Sequence, residues 1–418
     1  MKEHHRKNLL TIYQAAIDGV NGRHVVRRYL TSYTFKADAP CYLIAIGKAA
    51  ASMTEGALDV MSDRIEHALI ITRHGYGGSF NTKPQPDLVE LIEAGHPQPD
   101  ENSLIAGQRL LSLLDEAPAD AQFVFLTSGG TSALVELLPA SINLARLQRI
   151  NRWLLGSGLA INEINQVRRA LSLIKGGRLI PCLKGRSTLN LLMSDVPGDD
   201  PVVIGSGLLI ATQSDCPKSL IDKAPAWLQR HLELATAELC ESDAQIKTAI
   251  IASAGDARSA AATAADALGY KVHCHARFIE GDAVVVGQQL IAELSSSAPG
   301  IHIWSGETTV QLPDEPGQGG RCQQLALAAA HAMLPGRALL LLVAGTDGSD
   351  GGINQAEADA GALVDGGTLR RGELDGFDAV EALGHANAGA FLGVSGDLIS
   401  TGPTGANVMD LIIAYVSE

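Results

Sequence analysis

The chain has 418 residues, enough for two or three domains, with 46% hydrophobic residues, 44 glycines and only 4% aromatics. Short glycine clusters between apolar runs fit an α/β protein and exclude collagen-like and disordered classes. A formal net charge of −14 disfavours nucleic acid and anionic membranes as partners, and obliges any site for a small anion to supply its own cations.

The six cysteines, Cys41, Cys182, Cys216, Cys240, Cys274 and Cys322, form no CxxC pair, which fits free thiols in a reducing compartment. The N-terminus lacks the apolar core of a signal peptide, and no apolar run reaches about 18 residues. A soluble, cytoplasmic protein is the expectation.

Residues 8–30 are predicted as one amphipathic helix. In IAIGKAAASM (44–53) a strand end gives way, through Gly47-Lys48, to good helix formers. A lysine at such a turn either grips an anion or lays its stem along apolar surface, and the stretch alone leaves both open. It is not a Walker A loop, because Tyr42 stands where that pattern needs its first glycine. The same strand, Gly/Ser turn and helix are predicted in FVFLTSGGTSALV (123–135) and IKTAIIASAGDARSAAATAADAL (246–268). A helix is expected around 161–177, ending at Gly176-Gly177 with Lys175 in its last turn. STLNLLMSDVPGDDP (187–201) reads as a strand and an acidic turn.

The polar, proline-punctuated stretch 211–225 puts a domain boundary between there and about residue 245, giving domains 1–240 and 241–418. The second α/β set contains IHIWSGETTVQL (301–312), PGQGGRCQQLALAAA (316–330) and ALLLLVAGTDGSDGG (338–352). The chain closes with LISTGPTGANVMDLIIAYV (398–416), predicted as strand, glycine turn and helix, and packing of that last helix on the first domain is left open. Strands alternating with helices imply parallel sheets, whose ligands gather beyond the carboxyl ends of strands.

Five turns at strand ends carry functional groups. The first has Lys48; the second, Ser128-Gly129-Gly130-Thr131-Ser132, offers N–H groups and three hydroxyls, either as an anion nest or as an ordinary helix cap. The third, 194–200, concentrates Asp195, Asp199 and Asp200, a Mg²⁺ site or a solvated acidic loop. The fourth, 345–352, presents Asp347 and Asp350 but is no calcium loop, because Gly351 occupies a ligand position. The fifth, 401–407, is a donor-rich turn ending in Asn407, and between the third and fourth Arg321 should open a helix. A guanidinium there can hold a phosphoryl group in a forked geometry. Lysine, arginine, strand-end aspartates and glycine turns together are what phosphoryl transfer requires. No GxGxxG or GxGxxA occurs, which weakens a nicotinamide cofactor. His74, His96 and His385 lie in loops without a Ser or Cys partner and read as structural rather than catalytic.

The ordered set IGKAAASM, LTSGGTSALVELLP, INEINQVRRALSLIKGG, MSDVPGDDPVVIGSG, SGETTV, GQGGRCQQLAL, AGTDGSDG and STGPTGANVMDL resembles the glycerate 2-kinase family, some members of which were named hydroxypyruvate reductase. The resemblance runs from about residue 8 to the C-terminus. It implies a Rossmann-like N-terminal domain, a smaller α/β C-terminal domain of MOFRL type and a cleft between them. It also implies ATP-dependent phosphorylation of the 2-hydroxyl of D-glycerate, with Mg²⁺. On this reading Lys48 and Arg321 neutralise the transferring phosphoryl group, Asp347 orients or deprotonates the hydroxyl, and Asp195 and Glu307 are the metal-site carboxylates. Ser128 to Ser132, Asp350 and Asn407 would place substrate or nucleotide oxygens. Cys322, Ala170 and Leu208 depart from the family pattern, at positions where Asn, His and Pro are usual, and are expected to line or shape the site. The partner is a small hydroxy acid; a homo-oligomer is left open, and the rival reading is an NAD(P)H-dependent hydroxypyruvate reductase.

Overall fold

The computed structural model describes residues 2–36, 39–81, 88–159, 161–212, 216–233, 245–334, 338–351 and 359–418. The chain forms two units, one from residues 22–251 and the other from residues 1–21 with 252–418. The division expected at 240/241 falls outside the described residues, as does Gly352 of the fourth turn. The chain passes between units at 21/22 and 251/252, so the first helix groups with the C-terminal half.

In the 22–251 unit the strands are β1 (Cys41–Ile46), β2 (Ile65–Arg73), β3 (Val89–Ala94), β4 (Gln122–Thr127), β5 (Thr188–Met193) and β6 (Ile246–Ala252). They lie in the order β3-β2-β1-β4-β5-β6, and the pairs from β3 through β5 are parallel. Both faces of a parallel sheet are covered, so its strands read as unbroken apolar runs; β4 is buried at every position. Ile44, Ile46, Leu69, Ile71 and Phe125 pack on Leu110, Leu113 and Leu114 of the helix Glu101–Glu116. Asp100 starts that helix with a capping box closed by Ser103. A second, helical cluster joins Leu147, Ile150 and Leu154 to Val167, Ala170, Leu171 and Leu228.

The other unit is built on a mixed sheet of β7 (Val272–Cys274), β8 (Ile279–Asp282), β9 (Gly300–Thr309), β10 (Leu339–Gly345), β11 (Gly361–Asp365), β12 (Leu398–Ile399) and β13 (Asp410–Val416). The order is β12-β11-β10-β13-β9-β7, with β8 also on β9. Trp304, Leu341, Val343, Ile412 and Ala414 pack on the helices Ala283–Ser295 and Arg321–Ala332. The helices Lys2–Val20 and Ala254–Ala267 pack against each other and on β13.

Three expectations are corrected. The helix expected over 8–30 is two, Lys2–Val20 and Gly22–Thr31, broken at Asn21, where the chain leaves one unit for the other. The helix expected to reach 177 is Ile161–Leu171. Arg178 donates to the carbonyls of Arg169 and Ser172 and satisfies its end early. The closing segment is a central strand, β13, hydrogen-bonded to β10 and β9 rather than a helix. A seven-residue apolar run such as DLIIAYV carries no periodicity that separates the two, and its β-branched pair Ile412-Ile413 suits a strand. No helix among the described residues is long and apolar enough to cross a membrane.

Candidate active site

In a doubly wound sheet, ligands collect where strand order reverses. Here that point lies between β1 and β4, and the turns after these strands carry Lys48 and residues 128–132. The two turns are laced together. The Lys48 N–H donates to the Gly129 carbonyl (2.9 Å), Ser128 N–H to the Ile46 carbonyl (2.9 Å) and Ala49 N–H to Ser128 Oγ (3.1 Å). Gly47 has φ of +128°, and a Cβ there would lie 2.1 Å from Ser128 Oγ. Only glycine permits this approach.

The three hydroxyls of the second turn do not wait for a ligand. Ser128 Oγ accepts from Ala49, Thr131 Oγ1 donates to the carbonyls of Ser128 (2.7 Å) and Ile46 (3.1 Å), and Ser132 Oγ pairs with Ser206 Oγ (2.7 Å). The backbone N–H groups of Gly129, Gly130, Thr131 and Ser132, in contrast, donate to none of the described residues. The helix expected after this turn is a single turn, Thr131–Leu134. An anion here would meet the row of backbone N–H groups beside the Lys48 stem.

His96, read from sequence as structural, lies beside the Lys48 turn. It follows β3, and a Cβ on Gly130 would fall 3.2 Å from its Cδ2 and 3.3 Å from Lys48 Cγ. Loss of solvation, then the charges of Lys48, Arg73 and Arg168, hold its imidazole well below the usual value, so it is neutral at pH 7. The strand-end rule that found Lys48 applies equally to the Gly95-His96-Pro97 turn. Lys175, expected in a helix, is instead buried (1% exposed) in an ion pair with Glu136 (4%). Glu136 also accepts from Ser172 Oγ (2.5 Å) and the Leu137 N–H (2.9 Å).

Asp195 sits in the turn after β5, in the same unit as Lys48. Among the described residues no trio of His, Cys, Asp or Glu side chains is grouped as metal ligands. Mg²⁺ does not require one, since it takes one or two carboxylates and completes its shell with phosphate oxygens and water. Asp195 and Glu307 each offer one carboxylate of that kind, in different units, and Glu307 Oε1 is engaged by Arg321.

Arg321 lies in the other unit and opens the helix Arg321–Ala332, as expected. Its Nε and Nη2 donate to Asp410 (2.6 and 3.0 Å) and its Nη1 to Glu307 Oε1 (2.7 Å). Burial works against its charge, but Asp410 and then Glu307 outweigh burial and hold the guanidinium firmly protonated. Asp350, expected on substrate or nucleotide, is buried and accepts from the N–H groups of Cys322 (3.0 Å) and Gln323 (2.8 Å). It caps this helix from a distant loop. Burial dominates its titration and raises its pKa to about 7, against those two hydrogen bonds.

The fourth and fifth turns close on each other. A Cβ at Gly348 would lie 2.0 Å from the Gly402 carbonyl oxygen, and Thr404 Oγ1 donates to the Thr346 carbonyl (2.5 Å). Asp347 is buried, with Oδ1 accepting from the Ser349 N–H (3.0 Å), and Asn407 is buried nearby in sequence to β13. From the first helix, Tyr13 reaches its hydroxyl to the Gly345 carbonyl (2.7 Å), and Asn21 Nδ2 donates to that of Thr404 (2.9 Å). Ala170 and Leu208 lie in hydrophobic cores, so neither lines this chemistry. Cys322 is buried at the start of the Arg321 helix, its thiol pushed up by burial and by Asp350 and Asp410.

A family model described as a domain of unknown function (DUF4147) matches residues 8–225, and that of the MOFRL family matches residues 300–410. The chain is 33% identical to the glycerate 2-kinase of Pyrococcus horikoshii, over 92% of this chain and 89% of the relative. It is also 33% identical to the D-glycerate 2-kinase of Thermotoga maritima, over 90% of each. A crystal structure of glycerate kinase from Thermotoga maritima matches with a TM-score of 0.83 at 31% identity, over 99% of this chain and 100% of that one.

Proposed function

The chain belongs to the glycerate 2-kinase family, and from that premise we propose that it transfers the γ-phosphoryl group of ATP to the 2-hydroxyl of D-glycerate. The products are 2-phosphoglycerate and ADP. The observation that carries the proposal is the junction of the Lys48 turn with the 128–132 turn where strand order reverses. It combines an ammonium with a row of N–H donors, which suits an anion whose charge is spread over several oxygens.

In the transfer, the acceptor oxygen forms a bond to the γ-phosphorus as the bond to the β,γ-bridging oxygen breaks, and ADP leaves. Lys48 neutralises charge on the phosphoryl oxygens. Arg321 serves the same end through Nη1, exchanging Glu307 for a phosphoryl oxygen while Asp410 keeps hold of Nε and Nη2. Glu307 is the exchangeable partner because its side chain is 40% exposed and that of Asp410 only 6%. Asp347 orients the hydroxyl or takes its proton, a role set by hydrogen-bond reach. Asp195 would hold Mg²⁺, which would supply positive charge to offset that of the nucleotide phosphates. A cytoplasmic location belongs to the same reading.

A coupled ADP-release screen over small 2-hydroxy acids, with the phosphorylated carbon located by NMR, tests it. D-glycerate phosphorylated at carbon 2 is the expected outcome. No ADP with any acid, or NADH oxidation with hydroxypyruvate in its place, would overturn it.

A further inference from the structure

The kinase reading leaves one guanidinium without a task. Arg168 lies on the helix Ile161–Leu171, three residues beyond Asn165, and residues at that spacing share a helix face. This face is tied to the 128–132 turn: Ser206 Oγ donates to Asn165 Oδ1 (3.3 Å) and sits 2.7 Å from Ser132 Oγ. The 204–207 turn that carries Ser206 is held in turn by Gly176 and Gly177, whose N–H groups donate to the carbonyls of Ser206 (3.0 Å) and Gly207 (2.8 Å). Arg178, donating to the carbonyls of Arg169 and Ser172, fixes the helix end. Arg168 is therefore mounted on a rigid support.

Among the described residues Arg168 makes no hydrogen bond and no ion pair, although it is half-buried. Burial is the main influence on it and lowers its pKa, with Glu136 opposing. Glu136 cannot serve as its counter-ion, because Lys175, Ser172 and the Leu137 N–H already occupy that carboxylate. His96, which feels the charge of Arg168, is neutral and offers none. Among the described residues the Arg168 charge is thus left unmatched in a poorly solvated setting, where a partner would stabilise it.

We propose that Arg168 binds the carboxylate of the acceptor, so that the enzyme selects 2-hydroxy acid monoanions over neutral polyols. The inference rests on the kinase reading for the identity of the acceptor and extends it to a named contact. A planar fork of donors matches a carboxylate in two parallel hydrogen bonds, and a single surplus charge balances a monoanion rather than a triphosphate. With a net charge of −14 on the chain, such a local cation is what lets a small acid approach at all.

The test uses the full chain and its Arg168→Gln and Arg168→Lys variants, with unchanged melting temperature as the check on folding. KM for D-glycerate should rise ~10²-fold in Arg168→Gln, the size of a lost charge-assisted pair, and less in Arg168→Lys. KM for ATP should stay within about twofold. A glycerate KM that does not move overturns the proposal, and so does an ATP KM that rises in step, which would assign Arg168 to nucleotide phosphate. Calorimetry with D-glycerate alone keeps the two readings separate. Binding by the wild type that Arg168→Gln abolishes supports the contact even if no ADP is released; equal binding by both, or none by the wild type, refutes it.

Discussion

The two units carry opposite charge problems. In the 22–251 unit Lys48, Arg73 and Arg168 surround a neutral His96, and the buried Glu136 is already matched by Lys175. In the other unit Asp350, Asp410 and Glu307 surround one Arg321, with Asp347 beside Tyr13 and Asp410. One cluster gathers cations around a neutral imidazole; the other gathers carboxylates around a guanidinium. The lesson is that net charge does not fix local charge: a chain of net charge −14 still gathers cations in one place.

Two lysines of the first cluster separate charge used for folding from charge used for function. Lys175→Ala leaves Glu136 buried and unpaired and should cost about 3–5 kcal/mol, read as a fall in the denaturation midpoint. Lys48→Ala should leave that midpoint nearly unchanged while lowering kcat at least ~10²-fold in ADP release. A Lys48→Ala variant with near-normal turnover would break the comparison, since the cationic cluster would then have no catalytic member.

The acidic cluster should divide in the same way. Asp410→Asn weakens a two-point hold on Arg321 and should cost about 1.5–3 kcal/mol, with a clear loss of kcat. Glu307→Gln removes an exposed partner and should cost at most ~1 kcal/mol. If Glu307 is the exchangeable one, kcat in Glu307→Gln holds or rises. Equal losses of activity in both variants would mean that Arg321 is a fixed strut and not a phosphoryl ligand.

A buried carboxyl in the acidic unit also leaves a mark on pH dependence. The Asp350 carboxyl titrates near 7 in the folded chain against 3.8 for the ordinary group. Between those values the folded state keeps a proton that the unfolded state has released, so this group's contribution to stability is whole below about pH 4 and is lost as pH rises through about 7. The slope approaches 1.4 kcal/mol per pH unit for one full proton. Asp350→Asn should flatten it, and urea midpoints from pH 4.5 to 7.5 that run parallel for variant and wild type would show that burial does not raise this carboxyl.

How much of this was legible in the sequence follows from the range of each interaction. The β1 and β4 turns were, because an apolar run ending in glycine is a local pattern. So was the helix opened by Arg321. His96 and Arg168 were not, because their roles come from neighbours far away in sequence, and a neutral histidine or a surplus arginine is defined only by what surrounds it. Lys175 was misplaced for the same reason: Glu136, 39 residues earlier, outweighs the helical pattern around it. For Ser128, Thr131 and Ser132 the sequence leaves anion nest and helix cap both open, because their composition suits lacing and binding alike. Ala170 and Leu208 looked like site residues by their place in the motif, yet both fill core.

The smallest effect concerns the first helix, which joins the acidic unit although more than 300 residues separate Tyr13 from Gly345. Tyr13 is 2% exposed, and burial above all, aided by Cys322, Asp347 and Asp410, keeps its phenol protonated. The hydroxyl can therefore act only as the donor to the Gly345 carbonyl at the mouth of the Asp347 turn. Tyr13→Phe preserves the ring and its packing but leaves that carbonyl without its partner, so a loss of about 1 kcal/mol is expected. If Asp347 acts on the hydroxyl in transfer, as proposed, any fall in kcat should exceed any change in KM. Should the melting temperature of Tyr13→Phe match the wild type, the helix would be packing on the unit without setting its catalytic turn, and the acidic cluster would owe its geometry to β10 and β13 alone.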